Sequence, residues 1–330
     1  MSALATIIVI THNAARWLPR WTAALRAQTE TRWKLVVLDN ASRAEERPKQ
    51  DELPAGARFV QSEDNLGFAA GNNRAAEGAD TPYLVLLNTD AFPEPNWLDQ
   101  LVRLAERYPR AAAIGSTQVR ADVDGVFDGT GDVLHASGIS YRSNFGQPRG
   151  LTPPLGESFA ACGAALLIRR EAFEAIGGFD ERYFCFFEDV DLCFRLRLQG
   201  HIVLQSPDAI VHHVGGGSTG GRSAFARFHG ARNRFWTFVK CMPARLFWPL
   251  LPVHLALSGA ACTAAAFTGG GFAAWRGLFT GIAGVGPMWR SRQALRKTRK
   301  VGAGAIARRL AWSPFVFFGR KPVIFRIAAK

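Results

Sequence analysis

The stretch YLVLLNTD, residues 83–90, decides the fold that this sequence predicts. It begins with a short apolar run, typical of a strand buried on both faces, and polar residues follow at once. Three runs of the same kind precede it in the chain, namely TIIVI (6–10), KLVVLDN (34–40) and ARFVQSE (57–63). These runs predict strands of one sheet.

Helical patterns alternate with the predicted strands. They lie at about 16–28 and 67–78, and a third follows Pro95 and reaches Tyr108. This alternation indicates an α/β protein with a mostly parallel sheet that is flanked by helices. Ligands of such sheets bind beyond the carboxyl ends of the strands. We therefore expect a crevice beside the polar residues found there, which are Asp39, Asn40, Asn88 and Asp90.

The middle of the chain is less regular. Residues 125–157 are rich in Gly, Pro and Ser, which favours a long loop or hairpin region over the sheet edge. Strand character returns in SFAACGAALLIRR (158–170), and HIVLQSP (201–207) is a further strand. Between them, FFEDVDLCFRLRLQG (186–200) has helical spacing, and Gly200 suits the end of that helix.

Composition excludes a disordered chain. Hydrophobic residues make up 48% and charged residues 20% of the 330 residues, which is enough for one large domain or two smaller ones. The five cysteines form no CxxC pair, so we expect reduced, mostly buried thiols in a cytosolic compartment. The opening MSALATIIVITHN lacks the basic residues of a secretory signal.

Charge divides the chain into two unequal parts. Residues 1–208 contain 21 Lys and Arg and 27 Asp and Glu, whereas residues 209–330 contain 19 Lys and Arg and no acidic residue. The whole chain therefore has a formal net charge of +13. A basic tail of this kind is attracted to the phosphate groups of lipid or nucleic acid.

The tail also contains a long uncharged segment. Residues 246–275 include no Lys, Arg, Asp or Glu, although Pro249, Pro252 and the glycines at 269–271 interrupt the run. A bilayer span needs about 20 apolar residues. Three structures stay open: interfacial helices, a true span or hairpin, and a buried core with a basic rim. Trp, Phe and Arg occur together near the basic stretch 289–300, which favours interfacial helices.

Three acidic residues begin the helix predicted in 186–200. Acidic side chains suit the first turn of any helix, because they interact favourably with its dipole. Asp191 lies four residues before Arg195, which favours a structural ion pair. Glu188 and Asp189 remain at the mouth of the helix beside aromatic residues. Adjacent carboxylates in a partly dry site raise each other's pKa, which suits a general base.

Other polar motifs each allow a structural and a functional interpretation. In the structural interpretation, Asp39 forms a turn. In the functional interpretation, its carboxylate contacts the base or ribose of a nucleotide. NLGFAAGNN (65–73) suits a helix cap or a set of amides near a phosphate, but it lacks the Rossmann and Walker patterns. Asp90 suits a helix-entry cap or a divalent cation. In HHVGGGSTGG (212–221), an imidazole is either a structural hydrogen-bonding group or a ligand of that cation.

Together these motifs resemble those of family 2 inverting glycosyltransferases, which have a GT-A fold. The resemblance covers residues 6–235 and rests, in family order, on IIVITHN, VVLDNAS, NLGFAAGNN, LLNTD, ACGAALLIRREAFEAIGGFDERYFCFFEDVDLCFRLRLQG and HHVGGGST. The subgroup that it resembles comprises bacterial rhamnosyltransferases that build polyprenyl-linked or cell-surface glycans. The resemblance implies a GT-A catalytic domain at 1–235. For the remainder, 236–330, the charge and apolar content predict a basic, apolar helical region that associates with a membrane.

The resemblance also implies roles for individual residues. Asp189 is the expected catalytic base, with Glu188 in support. Cys162 and Gly163 are expected to face the acceptor. The expected nucleotide-sugar-binding residues are Thr11, Asn13, Asp39, Asn65, Gly67, Asn72, Asn88 and Asp90.

Mg²⁺ or Mn²⁺ is the cofactor that the resemblance implies. Asn88-Thr89-Asp90 occupies the place of the family's DxD motif, so Asp90 is the expected carboxylate ligand. His213, five residues before Ser218, matches the family's metal-binding histidine, and His212 is the alternative.

The implied reaction is metal-dependent transfer of a sugar, with inversion, from a nucleotide-sugar donor to a hydroxyl of a lipid-linked or cell-surface glycan. The subgroup implies dTDP-L-rhamnose as donor, with UDP-galactofuranose, UDP-glucose and UDP-GlcNAc as alternatives. We expect a cytoplasmic enzyme on the anionic inner face of the cell membrane.

Two other classes of protein fit the sequence less well. A sugar nucleotidyltransferase needs a Gly-rich phosphate loop after the first strand, and ITHNAARW has no glycine. A nucleic-acid-binding protein does not need the apolar segment 246–275, so we expect no nucleic-acid partner. The oligomeric state is not predicted by the sequence.

Overall fold

The computed structural model describes residues 2–150, 153–215 and 223–327. Its strands are β1 (Ala5–Thr11), β2 (Trp33–Asn40), β3 (Arg58–Ser62), β4 (Tyr83–Leu87), β5 (Ala91–Pro93), β6 (Ala111–Arg120), β7 (Phe127–Gly129), β8 (Asp132–Leu134), β9 (Ser140–Arg142), β10 (Gly156–Glu157), β11 (Ala165–Arg169) and β12 (Ile202–His213). Its helices are α1 (Leu18–Arg26), α2 (Gly67–Ala76), α3 (Trp97–Arg107), α4 (Arg170–Ala175), α5 (Glu188–Leu198), α6 (Ala224–Cys241), α7 (Ala244–Ala266), α8 (Gly271–Ala283), α9 (Val285–Thr298) and α10 (Ala303–Ala307).

The main sheet has the strand order β10-β12-β6-β11-β4-β1-β2-β3, with β5 paired to β12 and β7 to β6. Strands β3, β2, β1 and β4 are parallel neighbours, as are β6 and β12. The antiparallel strand β11 lies between these two groups. The predicted α/β fold, a mostly parallel sheet flanked by helices, is confirmed.

Burial on both faces explains why the strands read as continuous apolar runs. Successive side chains of a strand point to opposite faces. One face packs in a cluster with α1 and α3, whose members include Ile7, Val9, Val37, Val85, Trp21, Leu25, Trp97 and Leu101. The other face packs with α2, α4 and α5 in a cluster that includes Ile8, Leu38, Leu84, Leu86, Ala69, Phe173 and Phe194.

Two segments depart from the sequence-based expectation in detail. The Gly-, Pro- and Ser-rich region 125–157 forms short strands, of which β8 and β9 make a separate antiparallel hairpin. The strand predicted at 201–207 extends to His213, because a register shift between Gln205 and Ile210 lets β12 continue to pair with β6. Both histidines of the HHV motif therefore lie inside a strand.

Helix α6 packs on α5, and the C-terminal helices pack on one another. Residues 235 and 236, at the proposed domain division, both lie inside the continuous helix α6. Helix α8 approaches α6 closely at Gly277, where a Cβ would lie 2.2 Å from the carbonyl oxygen of Phe228. The indole Nε1 of Trp236 donates to the carbonyl oxygen of Gly281 at 3.0 Å.

Helix α7 contains the apolar segment that the sequence singles out. Pro249 and Pro252 lie within this helix and do not end it, whereas Gly269–Gly271 separate it from α8. His254 is buried, and its Nδ1 lies 2.7 Å from the carbonyl oxygen of Ser137. Among the described residues, α7 is the helix that is long and apolar enough to cross a membrane, a criterion that core helices also meet.

A buried group of ions joins α5 to α6. The predicted pair of Asp191 and Arg195 is confirmed, with Nε 2.7 Å from Oδ2. Lys240 of α6 also reaches Asp191 at 2.8 Å and Asp180 at 2.7 Å. Burial raises the pKa of Asp191, but the charges of Arg195 and Lys240 outweigh burial and hold this pKa below its usual value.

We expect Lys240→Met to destabilise the protein by about 3–5 kcal/mol at neutral pH, because it leaves two buried carboxylates short of a cation. Urea titration measures this change in the free energy of unfolding. The matched control is Lys34→Met, whose pair with Asp80 is exposed to solvent, so we expect a much smaller loss of stability. The pKa of Asp191 is lowered in the folded state, so the cost of Lys240→Met diminishes as pH falls through that pKa. Equal losses in both variants would contradict this assignment.

Candidate active site

The carboxyl ends of β1, β2 and β4 meet at one edge of the sheet. Thr11 and Asp39 are paired at the ends of β1 and β2, and both are buried. Oδ2 of Asp39 accepts a 3.3 Å hydrogen bond from the N–H of Ser42. Its Oδ1 has no hydrogen-bond partner among the residues that the structure describes. A buried acceptor in this state suits a ligand that donates a hydrogen bond.

Three asparagines hold the loops that follow these strands. Oδ1 of Asn13 accepts from the N–H of Arg43 at 2.9 Å. Nδ2 of Asn40 donates to Oδ1 of Asn65 at 3.0 Å, and Oδ1 of Asn40 accepts from the N–H of Leu66 at 2.8 Å. These bonds fix the wall of the crevice between β1, β2 and the start of α2.

Gly67 and Asn72 have structural roles on α2. Gly67 has a φ of +78°, and a Cβ there would lie 2.6 Å from the ring of Phe184, so only glycine fits. Nδ2 of Asn72 donates to the carbonyl oxygen of Phe68 at 2.8 Å, within the helix. Both residues therefore shape α2 beside the crevice.

His213 and Asp90 face each other across the crevice. Nε2 of His213 lies 3.4 Å from Oδ1 of Asp90, and its Nδ1 lies 2.8 Å from Oδ2 of Asp128. His212 points to the opposite face of β12, where its Nε2 lies 3.3 Å from Oε1 of Glu94. The structure thus places His213 beside Asp90, and His212 away from it.

Burial and the neighbouring polar groups act in opposite directions on the pKa values of His213 and Asp128. Burial lowers the pKa of His213, but hydrogen bonds to Asp128 and Asp90 and their charges outweigh burial and raise it to about 9. Burial raises the pKa of Asp128, but Arg142 and His213 outweigh burial and lower it to about 2. In the absence of a ligand, His213 is therefore a cation between two carboxylates at neutral pH.

Arg142 of β9 extends this chain of contacts. Its Nη1 donates to Oδ2 of Asp128, and its Nη2 donates to Sγ of Cys162 at 2.8 Å. Gly129 leaves room for it, since a Cβ there would lie 2.2 Å from Cδ of Arg142. Cys162 precedes Gly163, which contacts the next carboxylate.

Asp189 lies at the start of α5, within reach of Gly163. Its Oδ2 accepts from the N–H of Gly163 at 3.1 Å, and its Oδ1 accepts from the N–H of Val190 at 2.8 Å. Glu188 beside it is buried, and its Oε2 has no hydrogen-bond partner within the described part of the chain. A continuous series of contacts therefore runs from Asp90 to Asp189.

Carboxyl groups with raised pKa values surround Asp189. Burial raises the pKa of Asp189, and its backbone hydrogen bonds and Arg142 offset only part of this effect. Burial and the charge of Asp189 raise the pKa of Glu188, and they raise that of Asp132 to about 7. These neighbours share a poorly hydrated site, and carboxyl groups whose pKa is raised in this way suit proton transfer.

Asp90 and His213 suit a divalent cation that has further ligands. A carboxylate holds Nδ1 of His213, which leaves Nε2 available for a metal. Adjacent ligands at about 2.1 Å from one octahedral ion lie about 3 Å apart, close to the distance between Nε2 and Oδ1. Among residues 2–150, 153–215 and 223–327, no group of three His, Cys, Asp or Glu side chains suits a metal. Substrate oxygens would have to complete the coordination.

Sequence reasoning missed Asp128, Arg142 and Asp132. The sequence offers only a weak indication of the two aspartates, which lie four residues apart in GVFDGTGD within a Gly-rich region. Part of one expected motif, residues 216–222 with Ser218, lies outside the described residues.

The chain's mostly parallel sheet, with carboxylates at its carboxyl edge, is the kind of site that glycosyltransferases of the GT-A class use. Its sequence assigns the family: residues 6–177, more than half of the chain, match Glycosyl transferase family 2. The chain belongs to this family, as its motifs predict.

Curated relatives include rhamnosyltransferases. The chain is 29% identical to N-acetylglucosaminyl-diphospho-decaprenol L-rhamnosyltransferase of Mycobacterium tuberculosis over 295 aligned residues. This alignment covers 78% of this chain and 91% of the relative. The chain is 28% identical over 220 residues to O-antigen chain rhamnosyltransferase WbaN of Salmonella anatum, covering 63% and 65%. The predicted resemblance to the rhamnosyltransferase subgroup is confirmed.

Solved structures support the fold. GalNAc-T7, crystallised with UDP, GalNAc and Mn²⁺, matches with a TM-score of 0.59 at 17% identity, over 72% of this chain and 48% of GalNAc-T7. Residues 1–349 of S. aureus TarS, in complex with UDP, match with a TM-score of 0.52 at 13% identity, over 77% and 72%. At these identities the matches show a shared fold.

We expect Asp128→Asn to lower the pKa of His213 by at least ~1 unit in metal-free protein, because the change removes the carboxylate that holds Nδ1. Histidine-selective NMR titration measures this value, which starts at about 9. The pKa is raised in the folded state, so the charged pair stabilises the fold below pH ~6.5, and this gain is lost as pH rises through 9. His212 is the internal control, and an unchanged His213 titration would contradict the assignment.

Proposed function

We propose that this enzyme transfers L-rhamnose from dTDP-L-rhamnose to a hydroxyl group of a lipid-linked or cell-surface glycan, with inversion at the anomeric carbon. One observation carries the proposal: a continuous series of contacts joins Asp189, a carboxylate of raised pKa, to the Asp90–His213 pair in one crevice. The names of the relatives support rhamnose as the sugar.

The nucleotide of the donor would bind between β1 and β2. The free oxygen of Asp39 suits the N–H of a thymine or uracil ring, and Thr11 and Asn13 would line the same pocket. Asn65, Gly67 and Asn72 would shape the wall around the donor, while Asn88 and Asp90 would lie beside its diphosphate. Each of the four donors considered carries a thymine or a uracil base, so this contact does not choose among dTDP-L-rhamnose, UDP-galactofuranose, UDP-glucose and UDP-GlcNAc.

Asp90 and His213 would hold Mg²⁺ or Mn²⁺ together with the donor diphosphate. When bound, the cation neutralises the charge that develops on the leaving diphosphate. Asp128 keeps Nε2 of His213 directed toward Asp90 by holding Nδ1.

Asp189 would act as the general base. It removes the proton from the acceptor hydroxyl while that oxygen forms a bond to the anomeric carbon, and the bond from this carbon to the diphosphate oxygen breaks on the opposite face. The nucleoside diphosphate departs with the electron pair. The N–H of Gly163 fixes one carboxylate oxygen, and Glu188, whose pKa is raised by burial and by the charge of Asp189, lies beside the base.

The acceptor would enter beside Cys162 and Gly163, which lie against Asp189. A relative named for a diphospho-decaprenol substrate supports a lipid-linked acceptor. Such an acceptor requires the enzyme to work at a membrane surface. We therefore propose a cytoplasmic enzyme on the inner face of the cell membrane.

The C-terminal region supplies a surface for this membrane. Phe267 and Phe272 at the α7–α8 connection are 89% and 81% exposed. Further large apolar side chains on α7 and α8 are also exposed, namely Trp248, Val253, Leu255, Leu257, Phe279 and Ile282. Residues 209–330 contain 19 basic and no acidic residues, which complements anionic lipid. Exposed apolar side chains together with basic residues support interfacial helices in the region 236–330. We propose that this region follows a catalytic domain at 1–235.

We expect Asp189→Asn to abolish rhamnose transfer while leaving donor binding within about threefold, because it removes the base and little of the donor site. Release of dTDP, in the presence of Mg²⁺ or Mn²⁺ and a lipid-linked acceptor, measures turnover. Isothermal titration measures donor binding.

The exposed Asp99→Asn variant, whose carboxylate pairs with Arg103, is the control. Full turnover by Asp189→Asn would refute the role of Asp189. Nucleotide release from another donor of the panel, and not from dTDP-L-rhamnose, would refute the choice of sugar.

We expect Phe267→Ser combined with Phe272→Ser to weaken binding to anionic vesicles by about tenfold or more, since two large apolar side chains leave the bilayer interface. Cosedimentation with phosphatidylglycerol vesicles measures this loss. Unchanged vesicle binding, or equal loss of a duplex DNA complex, would contradict a lipid-facing role for the α7–α8 connection. The control is Val123→Ser, because Val123 is an exposed apolar residue in the proposed catalytic domain.

A further inference from the structure

We propose that Asn233 of α6 is a positioning residue that holds the loop before α5 in the conformation that presents Asp189. This inference rests on the proposed role of Asp189 as the base. It concerns the segment Tyr183–Phe187, which leads directly into the first turn of α5.

The loop has an unfavourable backbone conformation. Phe184, Phe186 and Phe187 have φ values of 65°, 66° and 66°. This region is sterically poor for residues with a bulky Cβ, and glycine or asparagine is the usual occupant. Such strain persists only where the surroundings impose it, and it is common at functional sites. The cause must therefore be sought in the contacts of the loop.

Asn233 supplies those contacts from a distant part of the chain. It is fully buried, and its Nδ2 donates to the carbonyl oxygens of Tyr183, Cys185 and Phe186 at 3.0, 2.8 and 2.7 Å. Its Oδ1 accepts from Nε of Arg232 at 2.9 Å. Because a guanidinium only donates, this contact sets the orientation of the amide and directs Nδ2 at the loop.

The loop connects the two halves of the site. The carbonyl oxygen of Phe184 accepts from the N–H of Ala69 in the first turn of α2, and that of Phe187 accepts from the N–H of Asp191 in α5. Asp189 lies between these anchor points. If the loop relaxed to negative φ, the start of α5 would turn and move the carboxylate away from the N–H of Gly163.

An amide is suited to this task, whereas a charged or apolar side chain is not. Its two N–H bonds lie within reach of three backbone carbonyl oxygens next to Glu188 and Asp189, and they add no charge to the surroundings. A lysine here would lower the pKa of both carboxylates, and an alanine would remove the side-chain donor from the partly buried carbonyl groups of Cys185 and Phe186.

The test compares Asn233→Ala with Thr237→Val, which removes a buried contact from the side-chain hydroxyl of Tyr183 and leaves the backbone carbonyl groups of the loop bonded to Asn233. We expect Asn233→Ala to lower kcat by about tenfold to a hundredfold with the donor KM nearly unchanged, since misplacement of a catalytic group by about 1 Å has effects of this size. Thr237→Val should retain kcat within about threefold. Asn233→Ser keeps one hydrogen-bond donor, so its kcat should lie between those of the other two variants. This variant also tests the inference if Asn233→Ala fails to fold.

A second measurement separates this inference from the role of Asp189. Hydrogen exchange of the amides at Ala69 and Asp191 should accelerate in Asn233→Ala and not in Thr237→Val, whether or not Asp189 is the base. If Asp189→Asn stays active while exchange accelerates, the proposed base is wrong and the positioning of the loop stands. Unchanged exchange, or kcat within twofold of wild type, would overturn the inference.

A third experiment tests whether a second substitution in the loop restores the kcat that Asn233→Ala loses. Glycine adopts positive φ without steric cost. We therefore expect Phe186→Gly to restore part of kcat in the Asn233→Ala background, relative to its effect in the wild-type background. Identical effects of Phe186→Gly in both backgrounds would show that Asn233 does not act through the backbone of the loop.

Discussion

The parallel pairing of β1 with β2 and β4 is the constraint on which the rest of the site depends. In this register, Thr11 lies beside Asp39, and the chain after β4 brings Asp90 to the same edge. Both faces of these strands are buried, so a shift of one residue would place polar groups in the core. The crevice is therefore a consequence of the sheet, and the loops around it add only the groups that react.

Alternating charge makes the buried site physically possible. From Asp90 the contacts run through His213, Asp128 and Arg142, so that each ion has a partner of opposite sign. Buried charges are tolerated when they are paired in this way. The series ends at the neutral thiol of Cys162, and Asp189 beyond it accepts from the backbone N–H groups of Gly163 and Val190. Burial raises the pKa of Asp189, and these hydrogen bonds and Arg142 offset only part of this effect.

The sequence predicts those features that depend on neighbours along the chain. The strands, their polar ends and the pair of Asp191 with Arg195 follow from local periodicity and spacing. Asp128, Arg142 and Lys240 act through contacts with residues far away in the sequence, which no local pattern encodes. The choice of His213 over His212 depends on the direction of side chains in β12, and the resemblance alone left it open.

Helix α6 spans the proposed domain division and connects the C-terminal helices to the candidate active site. Asn233 contacts the loop before Asp189, Lys240 neutralises Asp191 within α5, and Trp236 bonds to α8. A membrane surface bound by α7 and α8 would therefore be connected to Asp189 through buried hydrogen bonds and packed helices, without a flexible linker. Because α6 crosses residues 235 and 236 unbroken, anchoring the tail at a bilayer would also fix the direction in which the crevice opens.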